Sequence, residues 1–233
     1  MGPNDWKFRL EDAAVRLQRR RMAPKLDKVY REIVAGWEQD SFRQRFKDHW
    51  QPFPTVEAAK FLELNVWFPE SVFRFLWSGL PTDGRRLRIL DLGAGPGYFL
   101  AVARHFGHEP IGLDLDNEPL YNELFRFLEL PRIVHRIEPE KPLPDFGGPL
   151  DVITAFMTCF NVRSEGSAWR SPEWSYLLED LRARLGPGGK VIIRFNRHAG
   201  TQEFYPDEVR RMFRGLKFFR SRFFADFLFL DAR

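Results

Sequence analysis

The chain has 233 residues, 44% of them hydrophobic and 15% aromatic, which is enough apolar surface to bury a sizeable core and excludes a disordered chain. Its 36 basic residues are nearly balanced by 32 acidic ones, leaving a formal charge of +4, so basicity alone is a weak lead to a nucleic-acid partner. No run approaches the roughly 20 uninterrupted apolar residues of a membrane span, and the single Cys159 excludes an internal disulfide and lacks Cys or His neighbours at metal-ligand spacing.

Met1 to Leu10 is charged and lacks the apolar stretch of a secretion signal, so the expected location is the cytoplasm, with no membrane partner. From Trp6 to Trp77 the pattern is helical. Leu26, Val29, Tyr30, Ile33, Val34 and Trp37 recur at three- and four-residue steps, which predicts one buried helix face. Ser41 is placed to cap a helix with Phe42, Phe46 and Trp50 on its apolar face; Pro52 and Pro54 break the chain, and Thr55 is the next cap. A last helix is expected from about Pro69 to Trp77, ending at Gly79. Leu80 to Gly84 is turn-rich and divides the chain into an N-terminal helical region, 1–83, and a core, 84–233.

Beyond Gly84 short apolar runs alternate with amphipathic segments, the pattern of a parallel sheet wrapped by crossover helices. The strands are expected at Leu87 to Leu92, Pro110 to Leu113, Ile133 to Ile137, Asp151 to Phe156 and Lys190 to Phe195. Ser171, Pro172 and Glu173 supply a cap, a first-turn proline and an early acid for a helix that Gly186 to Gly189 should end. Pro206 to Gly215 reads as a short helix. Lys217 to Arg222 and Phe227 to Leu230, joined around Ala225 and Asp226, are too close for a parallel crossover and are expected to be antiparallel. The fold class is therefore α/β: a Rossmann-like, doubly wound, mostly parallel sheet with an antiparallel C-terminal hairpin and an N-terminal helical cap.

The chemistry concentrates at Asp91, Leu92, Gly93, Ala94, Gly95, Pro96, Gly97, where a strand runs into three glycines and then a helix. Glycines there permit the sharp turn and let a ligand approach the backbone. A dinucleotide fingerprint requires glycine where this chain has Tyr98, and Asp91 sets negative charge where a pyrophosphate would lie. Both features disfavour a nicotinamide oxidoreductase and fit a cationic or amino-bearing ligand. The next strand ends in Asp114, seventeen residues after Gly97, positioned to accept hydrogen bonds from ribose hydroxyls.

In Asp91, Gly93, Gly95 and Gly97 the chain resembles the class I S-adenosylmethionine-dependent methyltransferases, whose first motif is an acid followed by three alternate glycines. The resemblance covers about residues 84–233, including Leu185 to Phe195 with its Pro-Gly-Gly turn. It implies S-adenosylmethionine as cofactor, the loop with Ala94 against its methionine part, Asp114 on the ribose and Leu115 beside the adenine. It further implies an acid after the third strand, for which Glu138 is the nearest candidate.

Phe156 to Asn161 follows the fourth strand at the edge where α/β sheets bind ligands; Phe156 is assigned to the cofactor site and the segment to an acceptor wall. Cys159 has no partner base and is assigned no catalytic role. Val162 to Arg170, Trp169 and Trp174 are equally consistent with a substrate pocket and with packing. Asp116 reads as a solvated residue or cap, and none of His49, His105, His108, His135 and His198 has a partner that would give it a role. Arg19 to Arg21 and the cluster Arg210, Arg211, Arg214, Lys217, Arg220 and Arg222 read as solvated faces; the base-methylating Asn/Asp-Pro-Pro-aromatic motif is missing. The expected activity is methyl transfer to a small organic molecule, with an RNA or protein acceptor, or a noncatalytic assembly protein of the same fold, as alternatives. Methyl transfer relies on alignment of donor and acceptor, so no conspicuous catalytic base is required.

Overall fold

The computed structural model describes residues 5–37, 39–49, 57–158, 160, 169–196, 204–224 and 226–233. The expectations for Trp50, Pro52, Pro54, Thr55, Cys159, Asn161, Val162 to Ala168, His198 and Ala225 lie outside the described residues. The chain divides into two compact units that interleave along the sequence.

One unit comprises residues 1–85, 95–108 and 116–131 and is helical. It contains α1 (Asp5–Val34), α2 (Gln39–Arg45), α3 (Leu64–Trp77), α4 (Tyr98–His105) and α5 (Pro119–Phe127), with short 3-10 turns among them. The expected stripe is carried by α1: Leu26, Val29 and Val34 are buried. Two boundaries differ from expectation. Ser41 is the third residue of α2 rather than its cap. Pro69 lies inside α3, which begins at Leu64; the proline forfeits a single ladder hydrogen bond, while Phe68, Val72, Phe73 and Phe75 bury the helix on either side of it. Gly79, at φ +63°, ends that helix as anticipated, its N–H donating to Leu76 O at 3.2 Å.

His108 closes the turn after α4. It is 4% exposed, and its Nε2 lies 3.0 Å from the carbonyl oxygen of Pro81, which fixes the neutral tautomer with Nε2–H as donor. Burial pushes its pKa below the ordinary 6.5, with Arg85 acting in the same direction and the Pro81 contact and Asp83 opposing. The unfolded chain therefore binds more protons than the folded one between 6.5 and that lowered value. This contribution to stability is complete above that ordinary value and is lost as pH falls through the window. Urea titrations at neutral pH and at about pH 5 should show a smaller acid loss for His108→Gln than for the parent. Equal losses would refute the assignment.

The other unit comprises residues 86–94, 109–115 and 132–233. Among its described residues, β1 (Arg88–Leu92), β2 (Glu109–Asp114), β3 (Arg132–Val134), β4 (Leu150–Phe156), β5 (Leu185–Arg194), β6 (Phe219–Phe224) and β7 (Phe227–Ala232) form one sheet in the order β3-β2-β1-β4-β5-β7-β6. The first five strands are parallel; β7 runs antiparallel to β5 and β6. This is a Rossmann-like α/β fold with an antiparallel hairpin.

Two helices, α6 (Ser171–Arg184) and α7 (Asp207–Arg214), pack within this unit, and their Trp174, Leu177, Leu181, Val209 and Phe213 share a core with Ile153, Val191 and Leu228 of the strands. Ser171 is the first helical residue rather than the cap; Glu173 instead accepts the Arg170 N–H at 2.6 Å. The helix also ends at Arg184, ahead of Gly186 to Gly189, and those glycines fall in β5 where its pairing jumps from Leu150↔Leu185 to Val152↔Lys190. Strand β3 covers three residues rather than five, because it is an edge strand with one neighbour and Val134 is already solvent-exposed.

Candidate functional site

Along the chain β1 is followed by β2 and β3 on one side and then by β4 on the other, so strand order reverses between β1 and β4. Crevices outside the carboxyl ends of strands at such a reversal are where open α/β sheets bind ligands. Asp91 of β1 with Gly93 and Ala94 directly after it, Asp114 of β2 with Leu115 directly after it, and Phe156 of β4 all lie at those carboxyl ends.

Asp91 is 3% exposed and stands opposite Thr154 in the β1–β4 register; the Thr154 hydroxyl donates to its Oδ1 at 2.7 Å. The loop begins with two amides turned back into the sheet, Gly93 N–H and Ala94 N–H donating to Leu113 O at 2.8 and 3.2 Å. All three glycines have positive φ, as a turn this sharp demands, but their surroundings differ. A Cβ on Gly93 would strike the Thr158 side chain at 2.8 Å, and one on Gly97 would meet Leu130 at 3.0 Å and Phe125 at 3.2 Å. At Gly95 the nearest atom is Tyr121 Cε2 at 4.0 Å. The three positions thus divide: Gly93 and Gly97 answer to packing, and Gly95 leaves the open cradle that a ligand lying on the loop requires.

Helix α4 starts at Tyr98 directly after this loop. Tyr98 is buried, its hydroxyl donates to Phe61 O at 2.7 Å, and burial pushes its pKa far up, with Tyr121 adding to the shift. The position that distinguishes this loop from a dinucleotide fingerprint is thereby a fixed hydrogen-bonded anchor.

Asp114 Oδ1 accepts the Leu115 N–H at 2.7 Å, and its carbonyl accepts His135 N–H at 3.0 Å. Both contacts hold the end of β2 in place with the carboxylate half-exposed. Glu138 lies four residues beyond β3, paired at 2.8 Å with Lys141, whose hydrogen bond and charge hold its carboxyl below the usual range. Asp116 is exposed and its carbonyl accepts from Asn122.

Phe156 is buried, 6.3 Å from the Phe227 ring. Met157 follows with φ +61° and a side chain 38% exposed; its N–H donates to Arg194 O at 2.9 Å and its carbonyl accepts Asn196 Nδ2 at 2.6 Å. Thr158 then donates to Leu92 O at 2.7 Å. The end of β4 is therefore pinned to β5 on one side and to β1 on the other. Trp169 and Trp174 are core residues, with ring centroids 5.6 Å apart. Of the basic clusters, Arg19 pairs with Glu70, and Arg222 with Asp231 at 3.3 Å. Among the described residues no group of three His, Cys, Asp or Glu is arranged to hold a metal. No described helix is long and apolar enough to cross a membrane.

Sequence reasoning missed Thr154 and the packing role of Thr158. A hydroxyl inside the apolar run Asp151 to Phe156 was the available signal, since a buried hydroxyl needs a partner.

Residues 67–225 match a family described as a methyltransferase domain. The chain belongs to that family. It is a class I S-adenosylmethionine-dependent methyltransferase, with S-adenosylmethionine as cofactor. No curated protein gives a significant sequence match. Among solved structures, this methyltransferase is similar to the amino pentose methyltransferase CalS10 of Micromonospora echinaspora, with 18% identity and a TM-score of 0.51 over 78% of this chain and 98% of that one. It is also similar to the glycopeptide N-methyltransferase MtfA (13% identity, TM-score 0.48, 70% and 94% covered). A third is an O-methyltransferase family 2 protein of Planctomyces limnophilus in complex with apigenin (15% identity, TM-score 0.49, 78% and 63% covered).

Proposed function

We propose that the protein transfers a methyl group from S-adenosylmethionine to a small organic acceptor at the carboxyl edge of its sheet. The observation that carries this reading is the coincidence of the strand-order reversal with the glycine loop and the Asp114 carboxylate. The bound sulfonium supplies an activated methyl group. The loop Gly93, Ala94, Gly95 and Gly97 lies along the methionine part, and Asp114 accepts from the ribose hydroxyls with Leu115 beside the adenine. Phe156 and Glu138, whose carboxylate pairs with Lys141, complete the cofactor contacts. Phe156, Met157 and Thr158 wall the acceptor. The pinned end of β4 supports that assignment, since transfer depends on holding donor and acceptor in line and excluding water. The small-molecule class is in keeping with the amino pentose methyltransferase named above. The protein works in the cytoplasm.

Calorimetry with S-adenosylmethionine, S-adenosylhomocysteine and NAD tests the reading: both sulfur compounds should bind and raise the melting temperature, and NAD should do neither. Asp114→Ala should fold and lose about 1–3 kcal/mol of binding, roughly 5- to 150-fold, because the ribose hydroxyls lose a charged acceptor. Unchanged affinity in that variant would remove the ribose assignment, while absence of binding by the parent protein would remove the function.

A further inference from the structure

We propose that Thr154 is a positioning residue: by fixing the Asp91 carboxylate at the root of the glycine loop, it makes the site favour cationic S-adenosylmethionine over the neutral thioether S-adenosylhomocysteine. The proposal rests on the cofactor reading above.

Three observations carry it. Thr154 is the one hydroxyl in the otherwise apolar interior of β4, and it is 0% exposed. Burying a hydroxyl is costly unless it is bonded, and an apolar β-branched residue would fill the same place in a parallel strand with no such demand. Second, the hydroxyl meets a carboxylate, at 2.7 Å from Asp91 Oδ1, with a longer contact of 3.3 Å to Leu90 O. Burying a carboxylate costs far more than burying an apolar side chain in its place, so its presence at this register position points to a use for it. Third, the pair spans β1 and β4 at the strand-order reversal, two residues before Gly93, and β4 bonds to β1 again through Thr158 and Leu92 O. Thr154 therefore holds the Asp91 carboxylate, and Thr158 the backbone of Leu92 beside it, beneath the place where the loop leaves the sheet.

A fixed charge in a poorly solvated setting acts on a nearby cation far more strongly than it would in water. The two ligands differ by one methyl group and one positive charge at sulfur, so Asp91 affects their binding differently. A hydroxyl that merely filled space in β4 would affect both equally. The consequence is functional, because preference for the charged donor over the spent product limits product inhibition.

The full chain is compared with Thr154→Val, which keeps the shape and removes the donor, and with Thr154→Ser, which keeps the donor. Calorimetric affinities for both sulfur compounds are measured alongside melting temperatures. Thr154→Val should lose about fivefold or more in S-adenosylmethionine affinity and less than about twofold in S-adenosylhomocysteine affinity, and Thr154→Ser should restore the parent preference. Asp91→Asn, which removes the charge and keeps an acceptor oxygen, should lower the same preference and serves if Thr154→Val fails to fold. A preference unchanged in the folded Thr154→Val or Asp91→Asn variant, with only the melting temperature shifted, overturns the proposal. A parent protein that binds neither compound overturns the function reading, and this inference with it.

Discussion

Trp174→Ala should destabilise the protein by about 3–5 kcal/mol, which for a chain of this size lowers the melting temperature by about 6–20 °C. Trp174 is fully buried on α6, and its ring lies 5.3 Å from Phe160, 5.6 Å from Trp169, 5.7 Å from Phe195 and 5.3 Å from Phe213. These partners come from the segment after β4, the approach to α6, the residue after β5 and α7, so truncation opens a cavity where four segments converge. Trp174 Nε1 finds no hydrogen-bond acceptor among the described residues. Trp174→Phe consequently loses ring area but also removes a buried donor, and its cost should be well under half that of the alanine variant. Urea denaturation followed by fluorescence and circular dichroism measures both. A loss below about 1 kcal/mol for Trp174→Ala would show that the cluster is not the core it is taken to be.

The sheet was largely legible because its signals are local. Five apolar runs with intervening helices specify parallel strands, and the short link around Asp226 specifies the antiparallel pair, which appears as β6 and β7. Boundaries were less legible where a local rule competed with burial. Pro69 marks a helix start by propensity, yet the apolar face of α3 continues through it. The stripe from Leu26 to Val34 belongs to an α1 that begins at Asp5 and also tolerates Pro24, because the polar first half of the helix gives no periodic signal, and its last member, Trp37, falls in the 3-10 turn that follows. Ile133 to Ile137 reads as a full strand, but β2 itself ends at Asp114, whose carbonyl takes the His135 N–H, and beyond that bond nothing extends the ladder.

In the candidate site, the glycine spacing and the acids at strand ends could be read directly, since each is a matter of residue type at a fixed offset. The division of labour among the glycines could not. Thr154 and Thr158 lie more than sixty residues from the strand they contact, at β4, which becomes the neighbour of β1 only through the strand-order reversal. No local pattern encodes that adjacency. The same holds for Met157, whose left-handed backbone is maintained by bonds to Arg194 and Asn196 from β5 and its exit.

Gly93→Val should cost about 2–5 kcal/mol of stability and with it most cofactor binding. The backbone there has φ +69°, a region that charges a residue with a Cβ about 1–2 kcal/mol and a branched one more. The added Cβ would stand 2.8 Å from Thr158 Oγ1 and 2.9 Å from its Cγ2. Thr158 cannot swing away without breaking its 2.7 Å bond to Leu92 O, and Gly93 cannot retreat while its N–H donates to Leu113 O at 2.8 Å. Overpacking of this kind adds about 1–3 kcal/mol. The steric share can be isolated with Gly93→Ala and Thr158→Ala, singly and together, because removing Oγ1 and Cγ2 leaves only the Thr158 Cβ at 3.3 Å. The double variant should be about 1–2 kcal/mol more stable than the sum of the singles predicts. Gly95→Ala provides the contrast: its Cβ meets only Tyr121 at 4.0 Å, so it should fold with a loss near 1 kcal/mol while S-adenosylmethionine affinity falls by about tenfold or more, since the methyl group enters the open cradle. Additive Gly93 and Thr158 effects would mean that the loop moves freely of β4. A Gly95→Ala protein that binds as tightly as the parent would mean that the ligand does not lie on this part of the loop.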